Sequence, residues 1–231
     1  MMKAVIMAGG SGVRLRPFTY SIPKPLLTAG GITSIENSIK ILSKYKINEI
    51  FILTHYKSKM FSKTKAYEKK YSVKIKIVNE KAKLGTVGGL YLLKKFLKKE
   101  KFILLNGDIF FSFDIRKFIN FHTKKNSFFT IGLYKFNYQL PYALVNSDKL
   151  KKVNSIKEKP KVEFNINSGI YIIDNKIFKY LNTLKSMDMP DLIKKVSHSK
   201  ENVFSFDIGN KWIDLGRIED YKKVSKYISK W

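Results

Sequence analysis

Short apolar runs alternate with amphipathic segments along the first half of the chain. The runs that predict strands cover residues 3–8, 49–54, 73–78 and 102–106. Between them, apolar residues recur at helical spacing, which predicts helices over 34–46, 57–70 and 86–99. Strands that alternate with helices are typical of a parallel sheet covered on both faces, so this half predicts a doubly wound α/β fold.

The second half is less regular and predicts a mixed sheet. Its apolar runs predict strands over 127–134, 142–146, 153–159 and 166–173. Helices are predicted over 114–125, 188–199 and 218–230. Because no repeat, linker or low-complexity block divides the 231 residues, we expect a single domain over residues 1–231.

No apolar stretch is long enough to cross a membrane. A spanning helix needs about 18 or more apolar residues, and the apolar run after Lys3 is much shorter. The same run does not have the form of a secretory signal. We therefore expect a cytoplasmic protein with no membrane partner.

The composition restricts which residues can bind a metal. The chain has no cysteine, which removes disulfides, thiolate metal sites and cysteine nucleophiles. Its three histidines, His55, His122 and His198, are too scattered along the sequence for a histidine metal site. Any metal must therefore be held by oxygen atoms.

The formal net charge of +27 raises the question of a nucleic-acid partner. Nearly all of this charge comes from lysines spread from Lys3 to Lys230, which is typical of solvated surface. Arginine, the better ligand for phosphate geometry, is scarce. The arginines are Arg14, Arg16, Arg116 and Arg217. We expect no nucleic-acid partner, although the positive field would attract anionic substrates.

A glycine-rich loop follows the first predicted strand directly, where residues 9–17 read GGSGVRLRP. The glycines allow a sharp turn whose backbone N–H groups can surround phosphate oxygens, and Arg14 adds positive charge beside them. Neither the Walker A pattern nor the dinucleotide fingerprint fits this spacing. On its own, the loop is also compatible with a purely structural turn between a strand and a helix.

A single lysine between two prolines follows the loop, in the segment SIPKPLL of residues 21–27. The prolines restrict the backbone on both sides of Lys24. A lysine held in this way is well placed to stabilise charge that develops on phosphorus. Downstream, Asp108 ends an apolar strand, where a carboxylate reaches the crevice at the carboxyl edge of the sheet.

The pairing of GGSGVRLRP with PKPLL resembles the signature of the sugar-1-phosphate nucleotidylyltransferases, also called nucleotide-sugar pyrophosphorylases. Further motifs follow in the family's order: LGTVGG at 84–89, NGD at 106–108, EKP at 158–160, NSG at 167–169 and WIDLG at 212–216. The resemblance implies a three-layer α/β/α Rossmann-like mixed sheet, the nucleotide-diphospho-sugar transferase fold. It also implies a Mg²⁺-dependent reaction of a nucleoside triphosphate with a sugar 1-phosphate, which yields a nucleotide sugar and pyrophosphate.

The resemblance also assigns roles to individual residues. The implied catalytic residues are Arg14 and Lys24. The implied nucleotide-binding residues are Ala8, Gly9, Gly10, Gly12, Glu80, Gly85 and Thr86. The implied acceptor-binding residues are Ala143, Glu158, Lys159, Asn167 and Gly169. The implied magnesium ligands are Asp108 and Asp214, two carboxylates that would leave coordination positions open for phosphate oxygens and water.

Two features differ from the family pattern. Residues 28–34 replace the usual segment before the next helix, so the start of that helix is expected to shift. Ala143 stands where relatives carry glycine, and its methyl group would reshape the acceptor pocket. The identity of the acceptor is therefore less constrained than the type of reaction.

The chain resembles the compact guanylyltransferase-like branch of the family, which favours GTP as the nucleotide and admits a homodimer. Ala143 leaves open a cytidylyltransferase that uses CTP and a phosphorylated acceptor other than a sugar. A catalytically silent nucleotide-binding relative would not need Arg14, Lys24 and both aspartates. A polyanion-binding module is disfavoured by the scattered charge, and a glycosyltransferase by the lack of an Asp-x-Asp site after Asp108.

Overall fold

The computed structural model of the protein describes residues 2–181 and 185–228. Its strands, in chain order, are β1 (Lys3–Ala8), β2 (Thr28–Ala29), β3 (Ile32–Thr33), β4 (Glu49–Thr54), β5 (Lys74–Asn79), β6 (Phe102–Asn106), β7 (Ile109–Phe111), β8 (Phe129–Gln139), β9 (Leu144–Ser147), β10 (Val153–Lys157), β11 (Lys161–Ile173), β12 (Val203–Asp207) and β13 (Trp212–Asp214). The α-helices are α1 (Phe18–Ser21), α2 (Ser34–Lys44), α3 (Ala66–Tyr71), α4 (Lys94–Leu97), α5 (Ile115–Lys124), α6 (Met189–Ser197) and α7 (Ile218–Tyr227). Short 3-10 segments cover Val13–Leu15, Lys24–Leu26, Ser58–Lys65, Gly88–Leu93 and Asn175–Lys179.

Seven strands form the central sheet in the order β12-β8-β11-β6-β1-β4-β5. β6, β1, β4 and β5 run parallel to one another. β11 is antiparallel to both β6 and β8, whereas β12 is parallel to β8. The sheet is therefore mixed, and its parallel half is the half that the first part of the sequence predicts.

Two hydrophobic cores lie on opposite faces of this sheet, because side chains alternate along each strand. In β1, Ala4 belongs to the first core and Val5 to the second. Helices α2 and α5 cover the first face with side chains that include Ile39 and Phe118. Helix α6 covers the second face with Leu192. Helices on both faces of the sheet confirm the predicted three-layer α/β/α architecture.

Most predicted elements are confirmed. β1, β4 and β6 have the predicted bounds, and β5 begins one residue later than predicted. α2, α5, α6 and α7 lie within the helices predicted for them, although residues 229–230 of the last prediction lie outside the described residues. The start of α2 at Ser34 agrees with the prediction, since Thr33 accepts a hydrogen bond from the N–H of Glu36 and caps the helix.

The helix predicted over 57–70 is wrong in its first half, which is the 3-10 segment Ser58–Lys65. The hydroxyl of Ser62 donates to the carbonyl of Lys59 at 2.9 Å, and that of Thr64 donates to the carbonyl of Phe61 at 2.7 Å. Hydroxyl groups that bond to carbonyls three residues back compete with regular helical bonding. Only α3 then forms as an α-helix.

The helix predicted over 86–99 also forms only in part. It opens as the 3-10 segment Gly88–Leu93 and becomes helical only in α4. The backbone N–H groups of Val87 and Gly88 donate to the carbonyl of Met187, at 3.1 and 3.2 Å. These bonds and the poor helix propensity of two consecutive glycines explain the irregular start.

The α-helices of the described residues are short, and the longest of them, α2, has 11 residues. Over residues 2–181 and 185–228, none combines the length and the apolar character that a membrane crossing requires.

Candidate active site

A cleft follows the edge of the sheet at which β1, β4, β5 and β6 end. Three adjoining cavities form it: a central cavity of about 250 Å³ that contains Lys24, a Glu80 cavity of about 580 Å³ and a Trp212 cavity of about 440 Å³. The central cavity shares Asp108 with the Glu80 cavity and Arg14 with the Trp212 cavity. Because ligands of open α/β sheets bind at this edge, the cleft is the candidate active site.

The glycine loop forms one wall of the central cavity. Gly12 has a φ of +62°, a conformation that glycine adopts without strain. Its carbonyl accepts a hydrogen bond from the hydroxyl of Thr19 at 2.8 Å. A Cβ atom at Gly12 would lie 2.8 Å from Cγ2 of Thr19 and 3.1 Å from Cβ of Lys24. The loop therefore packs directly on the segment that carries Lys24, as the two adjacent sequence motifs predict.

Two short strands bring the predicted metal ligands together. Strand β7, which follows Asp108 directly, pairs antiparallel with β13, so that Ile109 lies opposite Asp214. The N–H of Leu215 then donates to the carbonyl of Asp108 at 3.0 Å. Residues that are distant in sequence thus become neighbours across one strand pair.

Lys24 lies between the two aspartates. Its Nζ contacts Oδ2 of Asp108 and lies 3.3 Å from Oδ1 of Asp214. The lysine is buried, with 7% of its surface exposed, whereas both aspartate side chains are partly exposed to the cleft. The structure therefore joins the residues predicted for catalysis and for the metal into one charged cluster.

Two opposing effects act on Asp214. Burial raises the pKa of its carboxyl, and the negative charge of Asp108 raises it further, whereas Lys24 and Arg14 lower it. Arg14 is close because its Nη1 and Oδ2 of Asp214 both lie near Gly216, at 3.7 and 3.3 Å from the position of a Cβ there. Lys24 and Arg14 thus offset the repulsion between the two neighbouring carboxylates.

A third, smaller hydrophobic core lies next to the charged cluster of Lys24, Asp108 and Asp214. It contains Leu15, Leu27, Ala29, Phe110, Leu215 and Val224. Leu15 follows Arg14, and Leu215 follows Asp214, so each charged residue extends from a neighbour that is fixed in the core. This packing explains why polar side chains in the cleft have defined positions.

The hydroxyl of Ser34, at the start of α2, connects two walls of the cleft. It donates to the carbonyl of Gly107 at 2.7 Å and lies 3.3 Å from the carbonyl of Pro25. Gly107 itself packs closely on β1, since a Cβ there would lie 2.7 Å from the carbonyl oxygen of Met7. The side chain of Ser34 therefore holds both Gly107, which precedes Asp108, and Pro25, which follows Lys24.

The Glu80 cavity contains a buried acid. Burial raises the pKa of the Glu80 carboxyl to about 7, an effect that His55 and the backbone N–H of Leu84 oppose. His55 Nδ1 lies 2.8 Å from the backbone carbonyl of Glu80, to which it donates in the matching tautomer. The carboxyl also packs on Gly89, where a Cβ would lie 2.1 Å from Oε1.

The turn that carries Gly85 and Thr86 is bonded to the start of α6. The N–H of Thr86 donates to Oδ1 of Asp188 at 2.8 Å, and the N–H of Met189 donates to Oγ1 of Thr86 at 2.7 Å. Gly85 has a φ of +75°, and a Cβ there would lie 2.5 Å from the carbonyl oxygen of Met187. These contacts fix one wall of the Glu80 cavity.

Sequence reasoning did not assign His55, Ser186 or Asp188 to the site, yet all three line the Glu80 cavity. A signal for His55 was present, because it is a polar residue directly after a predicted strand, in the position that made Asp108 a candidate. Asp188 precedes a Met-Pro pair at the start of a helix, and an aspartate in this position is typical of a helix cap. Only the tertiary contact with Thr86 reveals its second role.

The residues predicted to bind the acceptor lie in two places. Gly169 lies beside Asn106 at the end of β6, since a Cβ at Gly169 would be 2.4 Å from Nδ2 of Asn106. The N–H of Gly169 donates to Oδ1 of Asn167 at 3.0 Å, and neither residue lines any of the three cavities. Ala143, Glu158 and Lys159 are exposed at the end of a two-stranded arm, and they do not line any of the three cavities. Their predicted role stays a prediction.

The arm consists of the outer parts of β8 and β11 with the β9–β10 hairpin at its tip. One face is apolar, because Tyr134, Phe136 and Tyr138 lie opposite Ile166, Phe164 and Val162, respectively. Tyr134 also stacks on Trp212, with ring centroids 4.9 Å apart. The apolar face therefore begins inside the Trp212 cavity and continues outward along the arm.

Comparisons with known proteins agree with this geometry. A sequence profile described as nucleotidyl transferase matches residues 3–230. The mannose-1-phosphate guanyltransferase of Yarrowia lipolytica is 31% identical over 227 residues, which cover 95% of this chain and 62% of that protein. The chain thus spans about three fifths of the length of the curated relatives it matches.

Solved structures have the same fold over nearly the whole chain. The crystal structure of HddC from Yersinia pseudotuberculosis superimposes with a TM-score of 0.78 at 27% identity, covering 99% of this chain and 100% of that one. A second crystal structure of HddC, complexed with GMP-PN, gives a TM-score of 0.78 at 26% identity with the same coverage.

Proposed function

The chain belongs to the nucleotidyl transferase family, and on this basis we propose that it transfers GMP from GTP to a sugar 1-phosphate and releases pyrophosphate. The observation that carries the proposal is the contact of Lys24 with both Asp108 and Asp214 beside the glycine loop. The names of the mannose-1-phosphate guanyltransferases that this chain resembles support the same substrates. Because the match covers only 62% of the length of the first of those proteins, we propose its activity for this chain and do not carry it over directly.

The chemistry requires charge neutralisation and alignment more than a protein nucleophile. An oxygen of the acceptor phosphate attacks the α-phosphorus of the triphosphate while pyrophosphate leaves in line. The acceptor phosphate is already ionised at neutral pH, so no side chain has to activate it. In this proposal, the N–H groups of Gly9, Gly10 and Gly12 hold the triphosphate, and Arg14 and Lys24 stabilise its charge in the transition state.

The carboxylates of the site fit a magnesium ion. Nucleotidyl transferases generally use a divalent metal, and Mg²⁺ is usually held by one or two carboxylates together with water and substrate phosphates. Asp108 and Asp214 provide that set of ligands, while the described residues contain no group of three or more acidic, histidine or cysteine side chains. A bound Mg²⁺ would neutralise charge on the two reacting phosphates.

The Glu80 cavity suits a guanine base. Three of its lining residues, Glu80, Asp108 and Asp188, are carboxylic acids in a chain whose net charge is +27. Asp108 belongs to the proposed metal site, which leaves Glu80 and Asp188 for the base. Ionised carboxylates accept hydrogen bonds only, and guanine presents the N–H donors of its ring and of its 2-amino group along one edge. In this proposal, Gly85 and Thr86 form the wall of the base pocket, and Ala8 lines the adjoining central cavity.

The acceptor is proposed to bind on the side of the Trp212 cavity. Asp214 and Arg14 line this cavity, so a phosphate bound there would lie next to the metal ligands. Gly169 lies beside Asn106 at the edge of the cleft, and its N–H donates to Asn167. Contacts from Ala143, Glu158 and Lys159 require the arm to approach the cleft when the acceptor binds.

The decisive experiment incubates the protein and Mg²⁺ with GTP, dTTP, UTP or CTP and a panel of acceptors, which includes sugar 1-phosphates and phosphorylated alcohols, and measures pyrophosphate release. We expect release with GTP and a sugar 1-phosphate, mannose 1-phosphate being the first to test. Lys24→Ala serves as the blank. Release only with CTP and an acceptor other than a sugar would establish the cytidylyltransferase alternative. No release with any pair, while GTP still binds, would identify a catalytically silent relative.

A homodimer, the absence of a nucleic-acid partner and a cytoplasmic location stay predictions. Size-exclusion chromatography with light scattering measures the first. Nucleic-acid binding is best measured at physiological salt, because the surface lysines would give weak, salt-dependent association with any polyanion.

A further inference from the structure

Lys24 interacts with the two carboxylates that would hold a divalent ion. Its Nζ contacts Oδ2 of Asp108 and lies 3.3 Å from Oδ1 of Asp214. Its side chain is 8% exposed, compared with 30% for Asp108 and 37% for Asp214. The lysine side chain is therefore more buried than either carboxylate that it contacts.

The two carboxylates repel each other, and this repulsion requires a cation. Both carboxylates lie within ion-pair distance of the same ammonium group, so their negative charges are also close to each other. A single positive charge in contact with both carboxylates stabilises the pair as a divalent ion would, although less strongly. Lys24 thus provides an internal counter-ion for the metal ligands.

An ion that bridges Asp108 and Asp214 must compete with this ammonium. Among the described residues, no third acidic side chain joins the two aspartates to form a larger ligand group. An ion held only by the two carboxylate oxygens that Lys24 does not contact would remain next to the positive charge of Lys24. This repulsion would lower the affinity of the site for the ion. An ion held by the oxygens that Lys24 contacts, Oδ2 of Asp108 and Oδ1 of Asp214, would have to displace Lys24.

The central cavity offers Lys24 an alternative position. Lys24 lines this cavity together with Gly10, Gly12 and Arg14, where the proposed function locates the triphosphate. Pro23 and Pro25 restrict the backbone, but the four-carbon side chain of lysine can rotate without moving it. Once phosphates occupy the cavity, Lys24 gains anionic partners and can leave the carboxylates.

We propose that Lys24 occupies the metal ligands until the triphosphate arrives, so that the divalent ion binds together with the nucleotide rather than before it. This inference rests on the proposed function, because it requires a triphosphate in the central cavity. It gives Lys24 two successive partners: the aspartates in the free protein and the phosphates in the complex. Binding of the ion and of the triphosphate is then cooperative through one side chain.

The test measures Mn²⁺ affinity from the electron paramagnetic resonance signal of free Mn²⁺, with and without a non-hydrolysable GTP analogue. In the absence of nucleotide, Lys24→Met should bind Mn²⁺ about tenfold or more tightly than the wild type, because a competing charge is lost. The analogue should increase the Mn²⁺ affinity of the wild type by a larger factor than that of Lys24→Met. The matched control is Lys117→Met, an exposed lysine on α5 whose loss changes the net charge equally.

Two results would overturn the inference. One is a Lys24→Met protein, folded by circular dichroism, that binds Mn²⁺ no more tightly than the wild type. The other needs no variant: a wild type that binds Mn²⁺ equally well with and without the analogue. Lys24→Arg, which keeps the charge, should retain the weak binding of free Mn²⁺. Since none of these measurements requires turnover, failure of the inference is distinguishable from failure of the proposed reaction, which the pyrophosphate assay detects.

Discussion

The backbone N–H of Leu215 donates to the carbonyl oxygen of Asp108 at 3.0 Å. This bond extends the pairing of β7 with β13, in which Asp214 lies opposite Ile109. The relative position of the two carboxylates is therefore set by backbone hydrogen bonds and does not depend on a long loop. Substitutions that change only the side-chain charge should leave this geometry intact.

Asp108→Asn and Asp214→Asn should each lower kcat by about 100-fold or more, because each removes charge from the proposed metal site. The measurement is pyrophosphate release with GTP and a sugar 1-phosphate at saturating Mg²⁺. Asp191→Asn, an exposed position in the first turn of α6, is the control and should retain wild-type turnover. Near-normal kcat in both site variants would contradict the metal assignment.

Gly107→Ala and Gly10→Ala should separate a structural glycine from a functional one. A Cβ at Gly107 would lie 2.7 Å from the carbonyl oxygen of Met7, so this variant should lose about 2 kcal/mol of stability. A Cβ at Gly10 meets no atom within 4 Å, so the stability of Gly10→Ala should stay within about 0.5 kcal/mol of wild type. The measurement for both is urea denaturation.

Gly10→Ala should nevertheless raise the KM for GTP by about tenfold, because its methyl group would enter the space proposed for the triphosphate. Steady-state kinetics with the acceptor at saturation measure this effect. A Gly10→Ala protein with both normal stability and normal KM would show that this part of the loop does not approach the phosphates.

Thr86→Ala should cost about 1 kcal/mol of stability, since the N–H of Met189 at the start of α6 would lose its side-chain acceptor. The same change should raise the KM for GTP more than it lowers kcat, because it loosens the wall of the Glu80 cavity and leaves Lys24 untouched. Thr86→Ser keeps the hydroxyl and is the matched control. Equal kinetic effects of alanine and serine would argue that the methyl group matters and the hydrogen bond does not.

Glu80→Gln should stabilise the protein in a pH-dependent way. The pKa of Glu80 is raised from 4.5 to about 7 in the folded state, so the unfolded chain loses its proton first as the pH rises. Ionisation of the buried carboxyl therefore reduces the stability of the wild type progressively between these two values. At pH 8 this penalty is about 3 kcal/mol, and it vanishes near pH 4.

Urea denaturation of wild type and Glu80→Gln at pH 5 and pH 8 measures this linkage. The variant should gain stability relative to the wild type as the pH rises. A stability difference that is the same at both pH values would mean that Glu80 does not change its ionisation in this range.

The alternation of apolar runs and helical segments was sufficient to predict the parallel half of the sheet. β1, β4 and β6 are buried on both faces, so their sequences are nearly continuous apolar runs with sharp ends. The position of Asp108 at the end of β6 followed from the same pattern. Here local sequence and tertiary structure agree.

The meeting of Asp108 with Asp214 could be inferred only from the family resemblance. β7 and β13 have three residues each, too few for any periodic signal, and they pair across a long sequence separation. The second role of Asp188 likewise depends on a tertiary contact, the hydrogen bond from the N–H of Thr86. A sequence pattern reports which face of an element is buried, but it does not report which distant element covers that face.

The hairpin at the tip of the arm was predicted as strands, but the outer parts of β8 (residues 135–139) and β11 (residues 161–165) were not, and neither was the orientation of the arm. The sequences of β9 and β10 have β character, yet neither strand has a buried residue. Nothing in such a sequence states whether the hairpin packs on the cleft or extends from the sheet. The location of Ala143, Glu158 and Lys159 therefore required the structure.

The β9–β10 hairpin at the tip of the arm takes no part in the packing of the hydrophobic cores. No residue of β9 or β10 belongs to a hydrophobic core, so insertions, deletions and loop grafts between residues 140 and 160 should cost little folding energy. Directed evolution toward new acceptors can therefore begin with random libraries in this hairpin. The proposed metal ligands are positioned by the pairing of β7 with β13, which lies outside this hairpin, so such libraries should leave their positions unchanged.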